Sequence, residues 1–239
     1  NDDLARIIHI NDDGNLLHLK SAVISGLFRV SGGGEALREA LTRVRSEVED
    51  AIDNGARIII LSDRNSDEIH APIPSLLALA SVHNHLIRTK KRAKVGIIIE
   101  AGDVWETHHY ATLIGYGASA VNPYMAFETI KAMKDQGFVN KDLSYDKLEY
   151  NYIKAVNGEL LKIFSKMGIS TIQSYHGAQI FEAIGLDVNV IEKCFTGTVS
   201  RIKGLSFDDL SKEAAISTLV TWLQETRERL HGEFTNHGI

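Results

Sequence analysis

The sequence predicts an α/β fold built mostly from parallel βα repeats. Apolar runs of strand length recur along the chain, rich in Ile and Val and without polar alternation, which is typical of strands covered on both faces. The runs are LKSAVIS (19–25), RIIIL (57–61), VGIII (95–99), ASAV (118–121) and ISTIQ (169–173). Helical patterns separate them, so we expect right-handed crossovers and a parallel sheet. About five strands fall short of a closed barrel, which predicts an incomplete or degenerate (β/α) TIM-barrel-like fold in a single domain, residues 1–239.

The first helices are predicted from their apolar spacing and their end signals. Residues 35–54 place leucine, valine and isoleucine three and four positions apart, and Gly55 follows as a stop signal. Residues 74–88 begin with a proline, which suits the first turn of a helix. The stretch between Glu100 and Tyr124 is helical and too long for a hairpin loop, so it predicts a crossover between two parallel strands.

The later helices follow the same logic. Asn122 is a suitable cap for a helix over residues 124–135, with Pro123 at its first position. Residues 146–167 form a long helix that ends at Gly168, and residues 208–230 form a last one. We expect their inward-facing residues to be Ile153, Val156, Leu160, Phe164 and Met167 in the first, and Ile216, Leu219 and Leu223 in the second.

Composition excludes several classes of function. The 239 residues are 44% hydrophobic with a net charge of −5, which argues against a general nucleic-acid binder. No apolar run approaches the roughly 20 residues of a membrane span, and no signal peptide is visible. Cys194 is the single cysteine, so no internal disulfide forms and a reducing compartment is expected. These features predict a cytoplasmic protein.

Polar residues that follow the predicted strands are the main candidate site. They are expected at one rim, because the carboxyl ends of parallel strands share an edge. The candidates are Asp63, Arg64, Glu100, Asn122, Gln173, Ser174 and Tyr175. This rim has two interpretations, a catalytic pocket or a set of polar side chains that pair with one another and serve an interface. We favour the second interpretation, with no catalytic residue among them.

Other candidate motifs favour structural roles. The pairs His83/His85 and His108/His109 lack the i, i+4 spacing of a helical zinc motif, so we expect packing or buried hydrogen bonds and no metal site. The stretch 31–34 (SGGG) matches neither a dinucleotide-binding nor a Walker loop, and we expect a turn. The basic run 88–94 is expected to be a solvated face, and Cys194 a small buried apolar group.

Several long strings together resemble the central domain of the large subunit of glutamate synthase. The resemblance runs in order from about Lys20 to Leu205. It rests on RIIILSDR, IPSLLALASVHNHLI, ETHHYATLIGYGASAVNPY, NYIKAVNGELLKIFSKMGISTIQSYHGAQIFEAIGL and CFTGTVSRIKGL. In that family the central domain looks like a degenerate relative of a barrel.

The resemblance implies a role inside a larger enzyme. Glutamate synthase converts glutamine and 2-oxoglutarate, with a reductant, into two glutamates. An N-terminal glutaminase domain releases ammonia with a first-residue cysteine, and an internal tunnel leads to a C-terminal domain with FMN and an iron–sulfur cluster. The central domain connects the two and borders the tunnel. The resemblance therefore names these two domains as the partners.

This chain lacks the sequence features of the two catalytic domains of that family. Residue 1 is Asn1, one cysteine cannot supply the cluster's three thiolates, and no stretch matches the FMN domain. We therefore expect no cofactor in this segment and no activity from it alone. The rival interpretation is a free-standing barrel-type enzyme that uses Asp63, Arg64, Glu100 and Tyr175 on a small anionic substrate. A third is an accessory binding protein. The choice between NADPH and ferredoxin, and the oligomeric state, stay open.

Overall fold

A four-stranded parallel sheet forms the centre of the molecule. The computed structural model describes residues 1–12, 14–16 and 19–220 of the chain. The strand order is β1-β3-β5-β6, and all neighbours are parallel. These strands are β1 (Lys20–Ser25), β3 (Ala56–Ser62), β5 (Gly96–Glu100) and β6 (Ala120–Asn122). Four of the five predicted strands are therefore confirmed, as is the parallel arrangement, but within the described residues the sheet stays open and closes no barrel.

Helices connect and cover these strands. They are α1 (Asp2–Ile8), α2 (Gly33–Asp53), α3 (Ser75–Arg88), α4 (Thr107–Gly115), α5 (Tyr124–Asp135), α6 (Tyr145–Lys166), α7 (Ile172–Tyr175), α8 (Val188–Cys194) and α9 (residues 207–220). Single 3₁₀ turns lie at Val30–Gly32 and Arg92–Lys94. In the part of the chain that the structure describes, none of the helices is both long and apolar enough to cross a membrane.

The two faces of the sheet are covered unequally. Ile59 and Ile97 face the main core, together with the apolar stripes of α2 and α3. Ile60 and Ile98 point to the other face, where Leu4 of α1 packs on them. In a closed barrel that second face lines the interior. Here the short helix α1 covers it, which explains how an open sheet keeps its strands buried.

The predicted fifth strand, ISTIQ (169–173), is wrong. Its second half is the helix α7, and the Thr171 and Ser174 hydroxyls bond each other at 2.9 Å. Such local hydrogen bonds compete with a strand ladder. Tyr175, at the end of α7, packs against Phe164 of α6 with ring centroids 4.4 Å apart.

The remaining strands lie outside the main sheet, and no apolar run predicted them. β2 (Leu27–Arg29) pairs antiparallel with β4 (His70–Pro72), and both are too short to show a pattern. β7 (Glu182–Leu186) and β8 (Val199–Leu205) form a separate parallel pair, called here the ribbon. Its residues Ile184 and Ile202 are 72% and 59% exposed.

The two long later helices bury less than their sequence predicts. On α6, Val156 and Leu160 are buried and Phe164 packs on the core as predicted, but Ile153 and Met167 are exposed. These two therefore lie outside the buried stripe, because α6 crosses the edge of the molecule and only its middle faces the core. The prediction that Ile216 and Leu219 of α9 face inward is wrong, since both side chains are exposed. Leu223 and the rest of the predicted helix, residues 221–230, lie outside the described residues.

Candidate functional site

The carboxyl edge of the sheet brings the first four predicted rim residues together. The parallel register sets Ser62 beside Glu100 and Glu100 beside Asn122. Just past the strands, the Asp63 N–H donates to the Glu100 carbonyl and the Ala101 N–H donates to the Asn122 carbonyl, both at 3.1 Å. The edge is therefore fixed by backbone pairing before any side chain contributes.

Glu100 is the centre of a buried hydrogen-bonded group. One carboxylate oxygen accepts from the Ser62 hydroxyl at 2.7 Å, and the other accepts from Arg64 Nε at 2.5 Å. The Arg64 guanidinium also lies 4.0 Å from the ring centroid of Tyr124, a cation–π contact. Glu100 is nearly inaccessible while Arg64 is partly exposed. The Glu100 carboxylate is thus held in an ion pair.

Asp63 lies beside this group, but it is in no ion pair with the described residues and its pKa is raised. Its Oδ2 accepts from the Gly102 N–H at 2.8 Å, while its buried Oδ1 has no hydrogen-bond partner. Burial raises the pKa of Asp63 to about 6, and the nearby carboxylates of Asp103 and Glu100 add to the increase. The Gly102 N–H and the Tyr124 hydroxyl act in the opposite direction. Asp63 is therefore a buried carboxyl that titrates near neutrality.

The neighbouring polar groups serve structural contacts. Asp103 Oδ2 accepts from the Ser75 N–H at 2.9 Å, at the start of α3. Burial and the charge of Asp63 raise the pKa of the Tyr124 hydroxyl, so Tyr124 stays protonated at neutral pH. Asn122 is buried, and its side-chain oxygen has no partner among the described residues. Neither Asp103 nor Asn122 is placed as a base beside a nucleophile.

A cavity of about 330 Å³ opens over this edge. It is bounded by the sheet edge, the start of α5 and the end of α9. Its lining residues are Asp63, Ser66, Asp67, Pro72, Gly102, Asp103, Trp105, Tyr124, Met125, Ser217 and Thr218. Sequence reasoning missed Tyr124 and Trp105, because an aromatic residue near a strand end gives no signal until the helix that follows is placed.

The other predicted rim residues lie elsewhere. Gln173 and Ser174 are exposed on α7, and Tyr175 is fully buried. The Gly177 N–H just after α7 donates to the carbonyl of Gly115 at 2.8 Å, before β6 begins. This segment therefore lies at the amino edge of the sheet, opposite Asn122. The prediction failed because it assumed that a fifth strand carried these residues to the common rim.

The histidines serve hydrogen bonding and packing, as predicted. His83 Nδ1 accepts from Arg92 Nε at 2.9 Å, and burial, with the charges of Arg92 and His176, lowers the pKa of His83 to about 4. His109 Nδ1 accepts from the Trp105 N–H at 3.1 Å, and also from the Glu106 N–H at 3.5 Å, the bond that closes the capping box of α4. No group of three potential ligands able to hold a metal occurs among residues 1–12, 14–16 and 19–220.

Two other predictions have opposite outcomes. Cys194 is buried, as expected, and burial raises the pKa of its thiol to about 11. The basic run 88–94 is not solvated throughout. Arg92 in its middle donates to the carbonyls of Val95 at 2.7 Å and Gly117 at 2.6 Å, and so ties the start of β5 to the loop before β6. The prediction of a fully solvated run was wrong because Arg92 hydrogen-bonds backbone carbonyls, and the number of charged residues in a run does not reveal such bonds.

Comparison with known proteins shows that the chain is similar to one segment of much longer proteins. The glutamate synthase central domain family matches residues 1–187. The NADH glutamate synthase of Schizosaccharomyces pombe is 43% identical over 195 residues, which cover 82% of this chain and 9% of that protein. The large chain of the NADPH glutamate synthase of Bacillus subtilis is 45% identical over 196 residues, covering 82% of this chain and 12% of its own length.

A plant relative extends the similarity further along the chain. Ferredoxin-dependent glutamate synthase 1 of Arabidopsis thaliana, chloroplastic/mitochondrial, is 40% identical over 224 residues, covering 89% of this chain and 14% of that protein. The chain thus spans about a tenth of the length of the curated relatives it matches. The relatives differ in the electron donor that their names specify, while the matched segment is shared.

Proposed function

The chain belongs to the glutamate synthase central domain family, and from that premise we propose that it is the connecting domain of a glutamate synthase large subunit. The parent reaction would form two glutamates from glutamine, 2-oxoglutarate and a reductant. The observation that carries the proposal is the coverage. More than four-fifths of this chain aligns with proteins named glutamate synthase, yet it accounts for about a tenth of their length.

The proposed partners are the glutaminase domain before this segment and the FMN domain after it, in the same parent chain. FMN and the iron–sulfur cluster would be held by those other parts. A single buried cysteine, Cys194, with a raised pKa is unsuited to ligate a cluster, which supports this division. The parent protein would work in the cytoplasm, or in the plastid stroma of a photosynthetic source.

The rim at the carboxyl edge would border a domain contact or the ammonia path. The Glu100 carboxylate is satisfied within the edge, since it accepts from both Ser62 and Arg64. Asp63 and Asn122 are buried beside it, so these two side chains present little surface to bulk water. A dry border suits ammonia, which is lost from transfer once water protonates it. The same sheet, with α1 in place of the missing strands, fits a degenerate barrel.

The rival free-standing enzyme receives less support. It needs a closed barrel with a pocket that gathers Asp63, Arg64, Glu100 and Tyr175. The described sheet has four strands and stays open, and Tyr175 lies at its opposite edge. The proposed rival site is therefore divided between two ends of the sheet.

The test uses the intact glutamate synthase that contains this chain, with Glu100→Gln. We expect the ratio of free ammonia released to glutamate formed to rise, because a loosened border lets ammonia escape. Glu182→Gln is the matched control, since Glu182 pairs with Arg201 on the exposed ribbon. Equal loss of glutamine hydrolysis and glutamate formation in Glu100→Gln, with the ratio unchanged, would contradict the border role.

A further inference from the structure

The cavity over the carboxyl edge carries a surplus of negative charge. Asp63, Asp67 and Asp103 line it, and no lysine, arginine or histidine does so among the residues that the structure describes. Trp105 and Tyr124 supply aromatic walls. A concave acidic surface focuses its field and attracts cations. The cavity therefore favours a positively charged ligand over a negatively charged one.

The three carboxylates differ in how far they are already satisfied. Asp67 accepts from the N–H groups of Ile69 at 2.8 Å and His70 at 2.7 Å, and contacts the His70 ring at 3.0 Å. Asp103 accepts from the first N–H of α3. Asp63 is 7% exposed; it accepts from the Gly102 N–H and lies beside the Tyr124 hydroxyl, while its Oδ1 has no hydrogen-bond partner in the described part of the chain. Among the described residues neither Asp63 nor Asp103 has a paired cation, and Asp63 is the buried one of the two.

The neighbouring arginine, Arg64, does not act as this counter-ion. The Arg64 guanidinium is bonded to Glu100 and covers the ring of Tyr124 at 4.0 Å. That contact also demonstrates that the Tyr124 ring accepts a guanidinium. Trp105, 44% exposed, remains free to make a second contact of the same kind.

We propose that this cavity binds an organic cation, an alkylammonium or guanidinium group, with Asp63 and Asp103 as counter-ions and Trp105 as an aromatic wall. A buried carboxylate is stabilised by a paired cation, and aromatic faces add to the attraction. The volume of about 330 Å³ suits a small group of this class. The cation is either a free small molecule or a Lys or Arg side chain of another polypeptide segment. The proposal goes beyond the connecting role and does not depend on it.

The experiment follows Trp105 fluorescence in a Trp222→Phe background, where Trp105 is the single tryptophan left. Titration with n-propylammonium and with methylguanidinium chloride should change the signal saturably, whereas sodium propionate at equal ionic strength should not. Asp63→Asn should weaken binding at least about tenfold, the effect of losing a buried ionic partner. Asp142→Asn, in an exposed loop, is the matched control and should bind as the parent does.

Two further arms keep the result decisive. Lowering the pH from about 7.5 to about 5 protonates Asp63, so cation affinity should fall by about tenfold without any substitution. The groups that face Asp63 are Glu100, Asp103 and the Tyr124 hydroxyl, with Arg64 behind them. No saturable response, an equal response in Asp63→Asn, or an equally strong propionate response would overturn the proposal.

The source of the cation is read from the intact parent protein by saturation-transfer NMR of methylguanidinium. An Asp63-dependent signal in both the isolated chain and the intact protein assigns the cavity to a free small cation. A signal in the isolated chain that disappears in the intact protein assigns it to a Lys or Arg side chain of another segment. Either result supports the cation site, and absence of the Asp63-dependent signal from the isolated chain contradicts it.

Discussion

The four-stranded sheet and the ribbon are both parallel, but they differ in how they are covered. Ile59 and Ile97 in the sheet are inaccessible, with helices packed over them. Ile184 and Ile202 pair with each other in the ribbon and remain mostly exposed. Parallel strands are ordinarily buried on both faces. The sheet is therefore a fully covered core, whereas the ribbon presents apolar surface that the described residues leave uncovered.

The largest expected effect compares one isoleucine from each region. Ile59→Ala should lower the free energy of unfolding by about 2–5 kcal/mol, because it removes a fully buried side chain and leaves a cavity. Ile184→Ala should change it by less than about 0.5 kcal/mol, as for surface substitutions. Urea unfolding monitored by circular dichroism measures both. Similar losses in the two variants would contradict the contrast between core and ribbon.

Asp63 predicts a pH dependence for the sheet edge. Burial raises the pKa of Asp63 from 3.8 to about 6, so the folded chain keeps a proton that the unfolded chain has lost between these values. Stability should fall by about 3 kcal/mol in total as the pH rises from about 3 to about 7. The measurement is the difference in unfolding free energy between the parent chain and Asp63→Asn across that range. A constant difference, as expected for Asp142→Asn, would sink the idea.

Glu100 tests whether an ion pair at the edge differs from one on the ribbon. Glu100→Gln should cost about 1.5–3 kcal/mol, since it removes a charge-assisted hydrogen bond from a buried site. Glu182→Gln breaks the exposed pair with Arg201 and should cost no more than about 1 kcal/mol. Thermal unfolding of the two variants gives the comparison, and equal shifts would show that burial of the pair does not matter.

Gly34 tests how α9 is held against the rest of the chain. A Cβ at Gly34 would lie 2.7 Å from the backbone nitrogen of Asp208, closer than any real contact. Gly34→Ala should therefore destabilise by about 1–3 kcal/mol through overpacking. Gly158 in α6 has open space around it, so Gly158→Ala should stabilise by about 0.5–1 kcal/mol. Chemical denaturation checks both signs, and a neutral Gly34→Ala would mean that α9 is not seated on α2.

Much of the fold follows directly from the sequence where burial is two-sided. Unbroken apolar runs such as RIIIL and VGIII correspond to β3 and β5, because both faces of those strands are covered. The ribbon gives no such signal, since polar and apolar residues are mixed along both of its strands without an unbroken apolar run. The segment 169–173 gave a false signal, because its β-branched residues Ile169, Thr171 and Ile172 are also typical of strands, whereas the helix α7 begins at Ile172.

The candidate site shows the same limit. The register of parallel strands makes it possible to place Asp63, Arg64, Glu100 and Asn122 at one edge from sequence alone. Their hydrogen-bond partners depend on distances between side chains, which the sequence does not give. Arg64 donates to Glu100, for example, while one oxygen of Asp63 has no partner among the residues described. The raised pKa of Asp63 follows from burial and from neighbouring carboxylates, and neither is written in the local sequence.

The most direct test of the central claim is an assay of the isolated chain with glutamine alone. If the edge of the sheet is a structural border, the rate of ammonia release equals that of the buffer blank. A rate above the blank that Glu100→Gln or Asp63→Asn abolishes would contradict the claim, and it would identify the edge as an active site in its own right.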